Sequence, residues 1–269
     1  MNPILPTGFA SHADGIVATA AGIEGRLTER EIRFLALLAA APTCAGTVLE
    51  IGSFCGRSTV VLAKSAAFAN AAGIVAVDPL SLPASTDPSA LTATDVAASL
   101  RANLRTHGVE HLVEFHQMKS GELAQSWNRP LRLLWIDGDH TLEGARGDFR
   151  GYAPFLHPGA IVAFHDTLSR FAGPVRVLVE DVLASDDFGA CGCVGSIAWA
   201  QYRPGETAVA EWHGQRTRLR ALLAALIEQS DRGAASGVLD KWSYKIRRAR
   251  IPHAAIEPRT WVSLVVRVE

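Results

Sequence analysis

Two short stretches concentrate the residues able to do chemistry. "LRLLWIDGDHTLEGARGDF" (131–149) opens as an apolar run and then releases Asp137, Asp139 and His140 within four positions. "HPGAIVAFHD" (157–166) does the same and ends in His165 and Asp166. Carboxylates brought to one place repel unless a proton or a cation sits between them. A hard divalent cation such as Mg²⁺ suits oxygen ligands and keeps waters that an incoming hydroxyl can displace. An imidazole beside such a cluster has an ordinary pKa suited to proton removal near neutrality. Asp137 and Asp166 are therefore read as metal ligands and His140 as a general base, with Asp139 either orienting His140 or adding a ligand.

A third stretch, "VLEIGSFCGRST" (48–59), holds Glu50, Gly52 and Gly56 as E-x-G-x-x-x-G where a strand gives way to a helix at Ser58. Glycine lets backbone approach a ligand closely, and a helix N-terminus favours an anionic group. Asp78 ends the next apolar run, "GIVAVD" (73–78), where a carboxylate can accept hydrogen bonds from both hydroxyls of a ribose. The ligand expected is one with a ribose and an anion. The dinucleotide fingerprint needs a glycine where Phe54 stands, and the phosphate loop needs Lys where Arg57 stands, so a dehydrogenase and a nucleotide hydrolase are disfavoured.

These tips need elements to hold them. Thr28 and Glu31 form a capping box ahead of a helix over about 28–40. Strands at 48–51, 73–78, 112–116, 131–137 and, after a Pro-Gly turn, within 157–166 alternate with helices near 58, at 95–107, 142–155 and 174–184. "FGACGCVGSIAWAQYR" reads as two strands around a Gly turn. Five strand–helix rounds and a hairpin predict an α/β, Rossmann-like, seven-stranded, mostly parallel sheet with an antiparallel edge hairpin and a C-terminal helical extension. Residues 1–27 read as an arm, 28–203 as the ligand-binding domain and 204–269 as the extension. In that extension "RTRLRALLAALIEQ" reads as a helix, "LDKWSYKIRRAR" as basic and aromatic, and "TWVSLVVRV" as a strand.

Composition narrows the class. Among 269 residues, Lys+Arg number 26 and Asp+Glu 27, and 48% are hydrophobic, so a large core is expected and no global pull toward nucleic acid. The chain shows no signal peptide and no apolar run long enough to span a membrane, and Cys44, Cys55, Cys191 and Cys193 are too few for a disulfide framework. A reduced, cytoplasmic location is expected.

Taken in order, "VLEIGSFCGRST", "GIVAVD", "LLWIDGDHTLEGARGDF" and "LHPGAIVAFHD" resemble class I S-adenosylmethionine-dependent methyltransferases. More narrowly, they resemble the metal-dependent sugar O-methyltransferases of the macrolide deoxysugar and mycobacterial methylmannose polysaccharide type. The resemblance covers about 28–202. It implies that Glu50, Gly52 and Ser53 face the methionine end of the cofactor and Asp78 the ribose. Gln117 to Ser120, after the third strand, would hold adenine. Gly56, Ser58 and Asp137 complete the expected cofactor set. It further implies Asp137 as metal ligand and His140 as catalytic base. Where relatives carry Glu-Asp or Asp-Asn at the second tip, this chain has His165-Asp166. His165 is counted with the metal ligands, with a supporting or substrate-contact role left open.

The implied function is divalent-metal-dependent O-methylation of a hydroxyl on a sugar or glycoside, the acceptor being a small molecule or oligosaccharide. Alternatives are a hydroxylase-like relative of the same fold and a non-catalytic cofactor-binding protein. Residues 79–94, with Pro79, Pro83 and Pro88, form a long loop beyond Asp78 and are read as a lid. Lys241, Lys245, Arg247, Arg248 and Arg250 cluster with Trp242 and Tyr244; the cluster reads as a solvated helix face or as arginines that meet sugar hydroxyls or a sister subunit. A homodimer is expected, with no nucleic-acid or membrane partner.

Overall fold

The computed structural model describes residues 3–71, 73–81, 95–169, 171–205, 209–232 and 238–268. Its strands are β1 (Thr47–Ile51), β2 (Ile74–Val77), β3 (Val113–His116), β4 (Leu131–Ile136), β5 (Leu156–Phe164), β6 (Phe188–Val194) and β7 (Ile197–Tyr202). They form one sheet in the order β3-β2-β1-β4-β5-β7-β6. β1 to β5 run parallel, and β7 pairs antiparallel with both β5 and β6. This is the seven-stranded, mostly parallel sheet with an antiparallel edge that the alternation predicts.

All residues of β2 and β4 are buried, and all but the first of β1, because helices cover both faces. On one face lie α1 (Phe9–Ala21), α2 (Glu29–Ala40), α3 (Arg57–Phe68) and α4 (Val96–Thr106). On the other lie α5 (Ser120–Ala124), α6 (Leu142–Tyr152), α7 (Ala172–Val177) and α8 (Val209–Arg232). The chain ends with α9 (Val238–Ala249) and α10 (Pro258–Leu264). Trp135 of β4 is fully buried, as expected of a core residue.

Three expectations need correction. Residues 9–21 are not a loose arm: Phe9, Ala13, Ile16 and Ala20 repeat at helical spacing and bury α1 beside α2 and α3. The segment "TWVSLVVRV" is not a strand: Pro258 opens α10, which buries Trp261 and leads into buried Val265. Pro158 and Gly159 lie inside β5 rather than in a turn before it, at a register shift between β4 and β5. The lid reading falls largely on residues 82–94, outside the described residues. The four cysteines are free and buried, and burial pushes the thiols of Cys44 and Cys191 up to about 12 and that of Cys55 to about 11.

In the sheet order the connections leave β1 toward β2 on one side and β4 begins the other, so a crevice opens at the carboxyl ends of β1 and β4. Gly52 closes that crevice's floor. Its φ is +89°, and a Cβ there would stand 2.3 Å from the Asp137 carbonyl oxygen, so only glycine lets the two strand ends touch.

Candidate active site

The tips of β4 and β5 are locked together by backbone. The Asp137 N–H donates to the Ile51 carbonyl (2.8 Å) and the His165 N–H to the Ile136 carbonyl (3.0 Å). One residue later the chain turns sharply: Asp166 has φ +55°, a left-handed conformation that costs a non-glycine residue and that concentrates at functional sites. The turn aims Asp166 back toward β4. His140 Nε2 lies 3.3 Å from Asp166 Oδ2 and 3.9 Å from Asp137 Oδ1. Its ring stacks on Phe171, with centroids 4.3 Å apart and planes 10° from parallel.

Asp137, His140 and Asp166 each offer a ligand atom within 4.8 Å of the others. Both ring nitrogens of His140 are buried without a hydrogen-bond partner, so its lone pair is not committed elsewhere. The two carboxylates form an oxygen donor pair that fits a divalent cation, with the imidazole nitrogen beside them free to accept a proton. Burial works to lower the His140 pKa, but Asp137 and Asp166 outweigh it and hold it above the ordinary range. Burial and the nearby Asp137 raise the pKa of Asp166 despite the two histidines.

His165 is not part of that converging trio. It is buried beneath it, with Nδ1 3.0 Å from Asp137 Oδ1 and Nε2 3.9 Å from Glu31 Oε2. Burial opposes its charge, yet the carboxylates on both sides, Asp137 foremost, raise its pKa well above the ordinary value. Asp137, although half-buried, is held below the ordinary carboxylate range by His165 and His140. Glu31 in turn accepts from Thr28 N–H (2.8 Å) and Thr28 Oγ1 (2.6 Å), and from Ser196 N–H (2.5 Å) and Ser196 Oγ (2.7 Å). The capping box read from the sequence thus has a second use, because its glutamate also places a carboxylate beside the imidazole behind Asp137. Asp139 accepts from the Thr141 N–H (2.9 Å), which places it at the start of α6.

The glycine loop is built around two carboxylates. Asp78 Oδ2 accepts from the N–H groups of Ser53 (2.7 Å) and Phe54 (2.9 Å), and Oδ1 accepts from Leu80 N–H (2.7 Å). Asp78 therefore stands at the loop, as expected, and turns its oxygens onto the loop backbone. Glu50 is fully buried behind the loop and accepts from Ser53 Oγ (3.0 Å) and Thr59 Oγ1 (2.6 Å). Burial lifts its pKa to about 7, against the pull of the Ser58, Thr59 and Ser53 hydroxyls. Gly56 caps α3 in a left-handed conformation, with Ser58 in its first turn. Gln117 and Ser120 follow β3: Gln117 accepts from Arg101 (3.0 Å), and Ser120 Oγ donates to Asp148. The structure thus groups Glu50, Gly52, Ser53, Gly56, Ser58 and Asp78 around one loop, with Gln117 and Ser120 at the adjoining strand end.

Sequence reasoning missed Phe171, Ser196, the link from Glu31 to His165, and Tyr244. Tyr244 of α9 donates its hydroxyl to the Ser169 carbonyl (2.5 Å), three residues past Asp166. The only sequence signal for these was the capping box and the aromatic placed among basic residues.

Residues 49–167 match the family model described as "Methyltransferase domain". Among solved structures, the O-methyltransferase NovP is 14% identical, with 72% of this chain and 99% of that chain covered and a TM-score of 0.60. A protein from Corynebacterium glutamicum is 13% identical, covering 74% of this chain and 91% of that one, with a TM-score of 0.54. Cofactor-bound Rv0187 from MTB is 22% identical, covering 72% and 89%, with a TM-score of 0.49. The first two likenesses are likenesses of fold.

Proposed function

We propose, from the match of residues 49–167 to a methyltransferase domain, that this chain is a class I S-adenosylmethionine-dependent methyltransferase and methylates a hydroxyl oxygen with the help of a divalent cation. The observation that carries this reading is the meeting of Asp137, His140 and Asp166 beside the glycine loop. The acceptor class we infer is a sugar or glycoside, on the resemblance of the strand-tip motifs.

Bound S-adenosylmethionine supplies an activated methyl group, and a cation such as Mg²⁺ supplies charge that makes the acceptor hydroxyl more acidic. The chain's own groups do the rest. The glycine loop with Ser53 and Ser58, and Asp78 beside it, would hold the cofactor, with Glu50 supporting the loop and Gln117 and Ser120 toward adenine. Asp137 and Asp166 would hold the cation, with His165 fixing Asp137 from below. His140 would take the hydroxyl proton as the oxygen–carbon bond forms and the carbon–sulfur bond breaks, giving an ether and S-adenosylhomocysteine. Phe171 holds the His140 ring in plane for that transfer. No helix among the described residues is long and apolar enough to cross a membrane. We also read the chain as a homodimer, a reading supported by Trp242 and Ile246, exposed one turn apart on α9; analytical ultracentrifugation tests it.

The test of the reaction is transfer of labelled methyl from the cofactor to a panel of glycosides. Activity is expected to vanish with excess chelator and return with added Mg²⁺ or Mn²⁺. His140→Ala is expected to lower kcat by roughly 10²–10⁴-fold with cofactor binding intact. Full activity in chelator would remove the metal from the mechanism, and unchanged kcat in His140→Ala would remove the base.

A further inference from the structure

The basic, aromatic stretch of α9 has no part in the chemistry above, yet the fold brings it to the site. Tyr244 ties α9 to Ser169, and Arg248, one turn on, shares its face. Arg248 and Lys245 line a pocket of about 310 Å³. Its other walls come from Thr28, Arg30 and Glu31 at the start of α2, Gly195 in the β6–β7 turn, and His253.

The charge in this pocket does not balance. Arg30, Lys245 and Arg248 face one carboxylate, Glu31, whose oxygens already receive four hydrogen bonds from Thr28 and Ser196. Arg30 gives one of its donors to the His253 carbonyl (3.1 Å). Among the described residues, neither Lys245 nor Arg248 has a carboxylate partner, and Arg248 Nε is buried with nothing to donate to. A buried guanidinium donor without an acceptor is costly, and a pocket that gathers cations around it is completed by an oxyanion.

We propose that this pocket binds an oxyanion, a carboxylate, sulfate or phosphate group, carried by the acceptor that is methylated. The assignment to the acceptor rests on the O-methyl-transfer reading. Glu31 joins the two places physically, since it lines the pocket and stands 3.9 Å from His165 beneath Asp137.

Two measurements test it on the full chain. In the first, glucuronate and inorganic phosphate are titrated calorimetrically at low ionic strength, with glucose as the neutral control. Saturable one-to-one uptake of both anions and none of glucose is expected. Arg248→Gln should weaken uptake roughly 10- to 100-fold, and Lys245→Gln should weaken it less. Lys245 is exposed and Arg248 half-buried, so melting temperatures taken on both variants separate a lost anion site from lost folding. Absence of saturable anion uptake, or uptake unchanged in both variants, would overturn the proposal. In the second, paired acidic and neutral glycosides receive labelled methyl groups. Label is expected on the acidic member, with phosphate competing and Arg248→Gln raising KM while kcat stays. Arg248-dependent anion uptake with equal labelling of neutral acceptors would mean that the pocket serves free phosphate, and would overturn the acceptor assignment. Arg248-dependent uptake with no label on any acceptor would refute the O-methyl-transfer reading and the acceptor assignment with it, leaving only an oxyanion site.

Discussion

The unit of the site is a line of three side chains, a carboxylate, an imidazole and a carboxylate, Glu31, His165 and Asp137, ending at the residues that would hold the cation. Each member fixes the next: Glu31 is pinned by Thr28 and Ser196, His165 lies between two carboxylates, and Asp137 carries the charge to the cleft. Glu31→Gln keeps the size and removes the charge. Its expected outcome is a kcat about tenfold lower with cofactor affinity unchanged, an effect transmitted through His165. His165→Gln should give a similar loss, and the double variant little more, because the two act on the same carboxylate; steady-state kinetics with calorimetric cofactor binding checks all three. Asp137, His140 and Asp166 were legible in the sequence, because polar residues at the ends of apolar runs mark strand tips. Glu31 was legible only as a helix cap. Its partner Ser196 is 165 positions away, and no local pattern announces a contact at that distance.

Elements built from strong local contrast were the ones the sequence revealed: apolar β2, β4 apolar but for Arg132, and α2 with its capping box. The two misread elements have different causes. α1 buries two alanines among its four core positions, so its helical period is faint. α10 carries the β-branched residues of a strand, and burial of Trp261 and Val265 one turn apart overrides that preference. A different kind of information, invisible to any pattern, joins α5 to α6. Asp148 of α6 accepts from Ser120 Oγ, and Tyr152 donates to the Ser120 carbonyl (2.8 Å). Burial raises the Asp148 pKa from 3.8 to about 6. The folded protein thus keeps a proton that the unfolded chain releases, so stability is fullest below the unfolded pKa and falls as pH rises toward 6. The loss is about 3 kcal/mol at most, from 1.36 kcal/mol per unit. Asp148→Asn should flatten this decline, which thermal melts between about pH 4 and 7 will read.

At the scale of the whole molecule, the C-terminal segment is bound into the fold. Trp261 meets Phe34 of α2 edge-on (5.4 Å, 81°) and Trp199 of β7 (4.6 Å, 65°). Beyond α10, Val266 exchanges hydrogen bonds with the Gln201 side chain, and Val268 N–H donates to the Thr43 carbonyl (2.8 Å). Trp261→Ala should therefore cost about 3–5 kcal/mol of stability in urea titrations, the loss of a large buried ring. The sheltered thiols offer a way to watch the same architecture breathe. An alkylating reagent reaches each sulfur only in the moments when its surroundings part, so the pace of modification is a tally of local openings. Cys55 keeps time for the glycine loop, Cys44 for the approach to β1, and Cys191 and Cys193 for the outer edge of the sheet. Added S-adenosylmethionine should slow the first of these clocks far more than the others, and mass spectrometry of the labelled peptides would read all of them in one experiment.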